Sequence, residues 1–338
     1  MHGARPPRTI VLAAATLLLG ALVVPTPVRL PGGSGGIGFD DLQFASGLGK
    51  LLVPAGRTGR LYLVDPRSLE IEAIGGFSRG DEYRGGHEAG ITSADSGDGF
   101  IFVTDRSASA LDVVDPGTRQ IVARTALSAT PDYVRFVPAA REVWVSEPTA
   151  QRIEVFRLGS KRHPKPVHSG FIAVAGGPES LLIDARRSRA YTNLWAGATI
   201  VIALVTRRTV ARWPNGCRGS RGLALDALRG FLLVACAEGK LSVLDARTGA
   251  RLGAVSSGSG VDIIAYRGAT RHVYLPGARS ATMGVIEISS AGKPRLLATV
   301  ATAVGAHCVA ADNLGKVYVC DPRRGRLLVF TDPAPTKR

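Results

Sequence analysis

The chain has 338 residues, of which 45% are hydrophobic and 20% are charged, enough for one large domain. Its formal net charge is +15, but the basic residues are scattered and only 6% of the residues are aromatic. This excludes the basic, aromatic-rich stripe typical of a specific nucleic-acid surface, and any such attraction is expected to be weak and salt-sensitive. Abundant Ala, Gly, Arg and Pro also allow coding bias as the origin of the charge.

The first predicted element is an N-terminal leader at residues 1–25. Arg5 and Arg8 precede an apolar run from Ile10 to Val24. Fifteen residues are short for a membrane span and typical of a secretory signal. No good Ala-x-Ala cleavage motif follows, so an uncleaved anchor is the alternative, and membrane contact is expected only through this segment. We therefore expect a periplasmic or secreted protein.

A short apolar phrase then returns seven times along the chain. The copies are KLLVPA at 50–55, FIFVTD at 100–105, EVWVSE at 142–147, RAYTNL at 189–194, FLLVAC at 231–236, HVYLPG at 272–277 and KVYVCD at 316–321. Their third residues are Leu52, Phe102, Trp144, Tyr191, Leu233, Tyr274 and Tyr318, with gaps of 50, 42, 47, 42, 41 and 44 residues. A repeat of about 40–50 residues built from short strands is typical of a β-propeller.

Each unit predicts one blade of four antiparallel strands. An apolar strand and a turn precede the phrase, a third strand that often ends in Asp follows it, and a more polar fourth strand completes the unit. Asp65, Asp115 and Asp245 end third strands and precede turns, so we assign these aspartates to Asx-turn chemistry. The sequence thus predicts an all-β, seven-bladed propeller.

The last unit, at 306–332, has only three strands. The segment PTPVRLPGG at 25–33 resembles a fourth strand, and we predict that residues 26–31 pair with the last blade and close the ring. The alternative is a disordered linker after the leader. The domain prediction is a single propeller at 26–332, followed by a polar tail at 333–338.

The four cysteines fall into two local pairs. Cys308 opens the first strand of the last blade and Cys320 closes its second strand, so the two residues face each other if Val309 faces Val319. Cys217 and Cys236 occupy similar places in the fifth blade. Spacings of 12 and 19 without a C-x-x-C motif favour two structural disulfides in an oxidising compartment over a metal site or redox pair.

The repeat resembles a known family. The phrases KVYVCD, HVYLPG and EVWVSE resemble the Tyr-Val-Thr-Asn repeat of YVTN-type (YncE-like) seven-bladed propellers, and GAHCVAADNLGKVYV at 305–319 resembles their blade opening. The resemblance implies an exported bacterial protein of a group that includes binding proteins, with lactonases and quinoprotein dehydrogenase subunits among related propellers. No copy carries Tyr-Val-Thr-Asn intact, and Tyr191-Thr192-Asn193 is the nearest.

In a propeller the first strand of each blade lines the central channel, so the residue that opens it faces the channel mouth. These residues are Asp40, Gly90, Asp132, Glu179, Arg221, Asp262 and His307, and His87 and Glu88 lie just upstream of the second blade. Such groups could bind a cationic or polyhydroxy ligand, and a carboxylate near His could act as a general base. The alternative is that they cap loops.

A metal is the further candidate for this mouth. No cofactor is certain, but carboxylates with imidazole suit a divalent cation, and the candidate ligands are Asp132, Glu179, Asp262 and His307. A second layer is expected from Asp105, Glu147, Trp195, Glu238, Arg279 and Asp321 in the loops of the same face. Trp195 is either a stacking platform or, as we favour, a residue packed between blades.

The sequence therefore predicts a monomeric, exported binding protein that takes a small ligand, a cation or a protein partner at its channel mouth. The alternative is a metal-dependent hydrolase of the lactonase or esterase type. A weaker alternative is an accessory subunit of a periplasmic redox complex. No G-x-S-x-G, H-E-x-x-H or Walker motif is present to support other catalysis.

Overall fold

The computed structural model describes residues 24–160 and 162–332. The expected leader at 1–25, apart from its last two residues, and the tail at 333–338 lie outside the described residues. Within the described ranges no helix is long and apolar enough to cross a membrane. The helices found there are two single 3-10 turns, Ala185–Arg187 and Pro322–Arg324.

The strands form seven blades of four. The chain begins with β1 (Thr26–Arg29), which belongs to the last blade. Blades 1 to 3 contain β2 (Gln43–Ala45), β3 (Lys50–Pro54), β4 (Leu61–Val64), β5 (Ile71–Ile74); β6 (Ile91–Gly97), β7 (Phe100–Asp105), β8 (Ala110–Asp115), β9 (Gln120–Ala126); and β10 (Val134–Val137), β11 (Glu142–Glu147), β12 (Arg152–Ser160), β13 (His163–Ala173). Blades 4 and 5 contain β14 (Glu179–Asp184), β15 (Arg189–Leu194), β16 (Ala198–Ala203), β17 (Arg208–Pro214); and β18 (Ser220–Asp226), β19 (Phe231–Cys236), β20 (Lys240–Asp245), β21 (Arg251–Ser256). Blades 6 and 7 contain β22 (Ala265–Arg267), β23 (His272–Gly277), β24 (Thr282–Ile288), β25 (Pro294–Ala301); and β26 (Val309–Ala311), β27 (Lys316–Asp321), β28 (Arg326–Thr331).

Every neighbouring pair of strands is antiparallel, and six blades are meanders in chain order. In blade 7 the order is β1-β28-β27-β26, so the N-terminal strand completes the blade that the C-terminal strands begin. Thr26 pairs with Val329 and Arg29 pairs with Arg326. The predicted all-β propeller and its closure by the N-terminal strand are confirmed, and the closure removes the exposed edge of β28.

The core lies between the blades, in seven apolar clusters that each join two neighbouring blades. The seven aligned residues of the repeat are fully buried, and each lies in a different cluster: Leu52, Phe102, Trp144, Tyr191, Leu233, Tyr274 and Tyr318. The repeat therefore marks the second strand of each blade because that strand supplies one large side chain to each inter-blade contact.

The first strands of the blades surround a channel cavity of about 590 Å³. Backbone hydrogen bonds link neighbouring first strands near the start of the strands. Gly222 donates its N–H to the carbonyl oxygen of Asp262 at 2.9 Å, and Ile263 donates to His307 at 3.0 Å. These bonds fix the residues that open the first strands close to one another at one end of the channel.

Both predicted cysteine pairs are disulfides. Val309 faces Val319 in the β26–β27 hairpin, and Cys308 is bonded to Cys320 with a Cα–Cα distance of 5.6 Å. Cys217 is bonded to Cys236 with a Cα–Cα distance of 5.2 Å. The Asx-turn assignment is confirmed as well, since carboxylate oxygens of Asp65, Asp115 and Asp245 accept backbone N–H groups two and three residues later.

Candidate functional site

Four carboxyl groups from four blades converge at the start of the first strands. Asp40, Asp132 and Asp262 shortly precede β2, β10 and β22, and Glu179 is the first residue of β14. Asp132, Asp262 and Glu179 all lie close enough to Asp40 to raise the pKa of its carboxyl group. We call these four residues the mouth carboxylates.

The mouth carboxylates are not loop caps. No described backbone N–H donates to any of their side chains, whereas Asp105 in the neighbouring loop accepts from Ser78 at 2.7 Å and from Ala108 at 3.2 Å. Asp40 is 2% exposed, and its Oδ2 atom has no hydrogen-bond partner in the described part of the chain. Burying a carboxylate oxygen without a hydrogen-bond donor costs free energy. The mouth carboxylates therefore differ from the turn aspartates, which accept backbone N–H groups.

Burial is the largest cause of the raised pKa values of Asp40, Asp132 and Glu179. Burial, followed by the charges of Asp132 and Asp262, raises the pKa of Asp40 well above its usual range. Burial also raises the pKa of Asp132 to about 7, although the Arg106 guanidinium opposes that rise. The pKa of Glu179 rises to about 8 through burial and through the charges of Asp132 and Asp262. Without a cationic partner, the mouth therefore holds protons near neutral pH.

Two histidines flank Asp40. His87 comes from the β5–β6 connection, and its Nδ1 atom lies 3.9 Å from Oδ1 of Asp40. Burial and then His307 lower the pKa of His87. His307 sits differently, with Nδ1 2.7 Å from the carbonyl oxygen of Gly305 and Nε2 2.9 Å from that of Phe39. Both nitrogens of His307 are therefore engaged by backbone.

The predicted metal ligands do not form one compact set. Among the described residues, the ligand atoms at the mouth that lie within 4.8 Å of one another belong to Asp40, His87 and His307, a set without Asp132, Glu179 or Asp262. Since both His307 nitrogens face carbonyl oxygens, a metal would have to displace one of these bonds. Asp40 and His87 alone are fewer than the three or four ligands of a protein zinc site, and calcium takes six to eight oxygens.

Two arginines partly balance the acids. Arg221, from the predicted set, has its Nε 3.9 Å from Oε1 of Glu179. Arg106 was missed by the sequence analysis, yet its guanidinium lies 3.5 Å from both Asp132 and Glu88. Arg106 could have been found from its position in the β7–β8 loop, directly after Asp105, which the sequence analysis named. The predicted Glu88 is mostly exposed at the rim, with 77% of its side chain accessible.

Gly90, the remaining member of the predicted column, brings no side chain. Its φ is 75°, and a Cβ atom there would lie 2.0 Å from the carbonyl oxygen of Gly56. Tyr133 is a second residue that the sequence analysis missed. It is buried beneath the mouth carboxylates, and burial followed by the charge of Asp40 raises the pKa of its phenol.

Trp195 lies at the surface, so our preference for packing between blades is wrong. It is 42% exposed, and its indole N–H donates to Oε2 of Glu179. The ring lies against Gly177 in the connection between β13 and β14, where a Cβ atom would come within 3.1 Å of it. Trp195 is thus an exposed aromatic surface joined to the mouth through Glu179.

The other residues of the expected second layer form hydrogen bonds and ion pairs with neighbouring loops and strands. Asp105 and Glu238 accept backbone N–H groups, Asp321 pairs with Arg326 at 2.8 Å, and Arg279 donates to a carbonyl oxygen. Glu147 forms a separate buried pair with Glu154. Burial and the hydrogen bond with Glu154 raise the pKa of Glu147 to about 7, against the opposing effect of Arg152.

No family model matches the sequence, and none of the curated proteins matches it. Solved structures do match the fold. The chain is similar to a structure of the mitotic checkpoint complex (TM-score 0.76, 12% identity, covering 98% of this chain and 97% of that one). It is also similar to Kuenenia stuttgartiensis hydrazine synthase (TM-score 0.71, 13% identity, 91% and 98%) and to the Cps50 (Swd1) β-propeller domain of Myceliophteria thermophila (TM-score 0.70, 11% identity, 90% and 99%).

Identities of 11–13% establish shared architecture and nothing about ligand or reaction. The seven four-stranded sheets and the similar solved structures together show that this chain is a seven-bladed β-propeller.

Proposed function

We propose that this propeller is an exported binding protein whose channel mouth holds a positively charged group of its ligand. The observation that carries the proposal is the set of four mouth carboxylates, none of which accepts a described backbone N–H. Asp40 supports it most directly, since it is buried and one of its oxygens has no donor among the described residues. A cationic ligand with hydrogen-bond donors would supply what these groups lack.

The charge around the mouth supports the same ligand class. Arg106 and Arg221 are fewer than the four acids, so the mouth has an excess of negative charge once its carboxylates are ionised, in a chain of net charge +15. Buried acids of raised pKa become ionised when a cation enters, because the cation stabilises the charged form. Ligand binding is therefore expected to release protons near neutral pH and to strengthen as the pH rises from about 6 to about 8.5.

The spacing of the acids favours an organic cation over a metal ion. A metal needs ligand atoms about 2–2.6 Å from one centre, which places them close to one another. The mouth carboxylates do not form such a group among the described residues. An ammonium or guanidinium group is larger and donates several hydrogen bonds, so it can bridge separated oxygens.

The alternatives from the sequence lack comparable support. No described set of residues favours a lactonase or esterase, because the Asp40–His87–His307 group leaves His307 bonded to backbone. A redox-complex role has no observation in its favour either. Protein partners suit propellers in general, and one similar structure is named for a complex, the mitotic checkpoint complex. A cationic side chain of a partner protein is therefore one source of the bound group.

Export is part of the proposal and draws support from two buried disulfides, which persist in oxidising compartments. The resemblance to YVTN-type propellers favours the same location. We expect the native protein in the periplasmic or secreted fraction. Its cysteines should react with a thiol label only after the disulfides are reduced. Recovery of the native protein with four free thiols from the cytosol would contradict export and leave the mouth site to be judged separately.

The binding test uses n-butylammonium chloride, titrated calorimetrically at about pH 8. The variants are Asp132→Asn and Glu179→Gln, which keep shape and remove charge, and Glu72→Gln on β5, the outer strand of blade 1, is the matched control. We expect wild type and the control to bind, and each mouth variant to bind about tenfold to hundredfold more weakly. Equal affinity in all four proteins, or no binding by wild type to any organic cation, would overturn the proposed function.

A further inference from the structure

Building on the proposed function, we propose that the mouth selects a primary ammonium group carried on an apolar stem, with the ammonium among the mouth carboxylates and the stem on the exposed face of Trp195. The juxtaposition that carries this inference is an acidic ring, of which Asp40 and Asp132 are buried, beside an exposed indole. The two parts meet at Glu179, which contacts Trp195 and faces the other mouth carboxylates.

The mouth carboxylates determine which kind of ammonium group the site binds. Asp40 Oδ2 has no donor among the described residues, and the contact from His87 to the other oxygen of Asp40 is as long as 3.9 Å. These oxygens need N–H donors, and a primary ammonium brings three in different directions. A quaternary ammonium brings none, so it would leave the buried oxygens without a partner at the cost described for unsatisfied polar groups.

The orientation of Trp195 determines where the stem lies. Its N–H edge points to Glu179, so a cation among the carboxylates sits beyond this edge rather than over the ring. One side of the indole contacts Gly177, whose φ of 82° and close approach suit glycine. Because the residue is 42% exposed, apolar ring surface remains for a hydrocarbon chain that leaves the mouth.

An aliphatic stem gains affinity by covering this surface. Full burial of a methylene is worth about a fourfold change in affinity, and burial against one exposed ring gives about twofold for each methylene. The gain should end when the stem extends past the indole. Two sources carry this chemistry, a free alkylamine and the lysine side chain of a polypeptide, whose four methylenes suit the same surface.

The experiment measures affinities at about pH 8 for methyl-, n-butyl- and n-hexylammonium, for tetramethylammonium, and for Nα-acetyl-lysine amide. Proteins are wild type, Trp195→Ala and the control Val205→Ala, whose side chain is exposed in the β16–β17 turn of the same blade. For wild type and the control we expect affinity to rise about fourfold to eightfold from methyl- to n-butylammonium. We expect tetramethylammonium to bind at least about tenfold more weakly than n-butylammonium. In Trp195→Ala the ratio of n-butyl- to methylammonium affinity should fall to about one. The ratio within each protein is the readout, because this variant also removes the indole N–H that donates to Glu179 and so weakens every amine alike.

The outcomes separate the two proposals. If organic cations bind and the mouth variants weaken them, but affinity does not depend on stem length or depends on it equally in Trp195→Ala, the stem inference fails and the proposed function stands. If tetramethylammonium binds as tightly as n-butylammonium, the assignment of a primary ammonium is wrong. If no organic cation binds, both fail. Binding of Nα-acetyl-lysine amide equal to that of n-butylammonium points to a polypeptide source, and much weaker binding points to a free amine.

Discussion

The Nε2 atom of His307 lies 2.9 Å from the carbonyl oxygen of Phe39, although the two residues are 268 positions apart in the sequence. The contact joins the first strand of blade 7 to that of blade 1. Nδ1 of the same ring lies 2.7 Å from the carbonyl oxygen of Gly305. Carbonyl oxygens only accept, so both bonds form together when both ring nitrogens carry protons. His307 thus joins blade 7 to blade 1.

This contact predicts a stabilising role for His307. Replacing it by Ala leaves the carbonyl oxygens of Phe39 and Gly305 without this donor, and we expect the free energy of unfolding to fall by about 1–3 kcal/mol. Guanidinium denaturation of His307→Ala, compared with wild type and with Val205→Ala, measures the change. A variant with wild-type stability would show that water replaces the histidine and that the contact contributes little to closure.

The mouth carboxylates predict an unusual dependence of stability on pH. Unfolded Asp and Glu titrate near pH 4, whereas the folded pKa values of Asp132 and Glu179 are about 7 and about 8. Between these values the folded chain binds more protons than the unfolded chain, so the free energy of unfolding falls as the pH rises. We expect the ligand-free protein to be more stable at about pH 5.5 than at about pH 8.5.

The control for this pH effect is the double variant Asp132→Asn/Glu179→Gln. It removes the two titrating groups, so its stability should change less between about pH 5.5 and 8.5, and it should exceed wild type at the higher pH. Denaturation curves of both proteins at the two pH values measure the difference in the free energy of unfolding. A double variant with the same slope as wild type would show that these two acids are not the source.

The Glu147–Glu154 pair predicts a second, separable contribution. Glu147 has a pKa of about 7, and the pair binds the backbone N–H groups of Ala129 and Ser128. Glu147→Gln removes the titrating group, so we expect stability to fall less between about pH 5.5 and 8.5 than in wild type. Because one Glu147 oxygen accepts from Arg152 and the other from Ala129, the amide also loses one of these bonds, so the pH dependence and not the absolute stability is the readout. Because this pair lies outside the mouth carboxylates, its effect should add to that of the double variant.

The two disulfides predict similar losses of stability on removal. They close loops of 19 and 12 residues, and the chain-entropy relation gives about 3 kcal/mol for each. Replacing both cysteines of a pair by Ser avoids a free thiol. We expect the Cys217/Cys236 and Cys308/Cys320 double variants to unfold at lower denaturant than wild type. Destabilisation in only one of them would show that strain or denatured-state structure outweighs the loop length.

The fold could be predicted from the sequence because the repeat marks the residues that pack between blades. Each of the aligned large residues, from Leu52 to Tyr318, fills one contact between blades, and few architectures other than a propeller combine short strands with a period of that length. The same reasoning placed Asp40, Asp132, Glu179 and Asp262 at one mouth, since propeller geometry fixes where first strands begin. The cysteine pairs followed from strand register alone.

The chemistry of the mouth could not be predicted in the same way. Whether an aspartate caps a loop depends on where its side chain turns, and Asp105 turns to Ser78 whereas Asp132 turns to Arg106. The bond from His307 to Phe39 joins opposite ends of the chain, so no local pattern marks it. Trp195 lies against Gly177, which is 18 residues away in the sequence, so no local pattern marks this contact either.

The most direct test of a cation-binding mouth is a crystal structure of the protein grown with n-hexylammonium at about pH 8. We expect the ammonium nitrogen within about 3 Å of Asp40 Oδ2 and of at least one other mouth carboxylate, with the stem on Trp195. A structure in which the amine binds elsewhere, while Asp40 Oδ2 takes a donor from the protein itself, would contradict a cation-binding mouth.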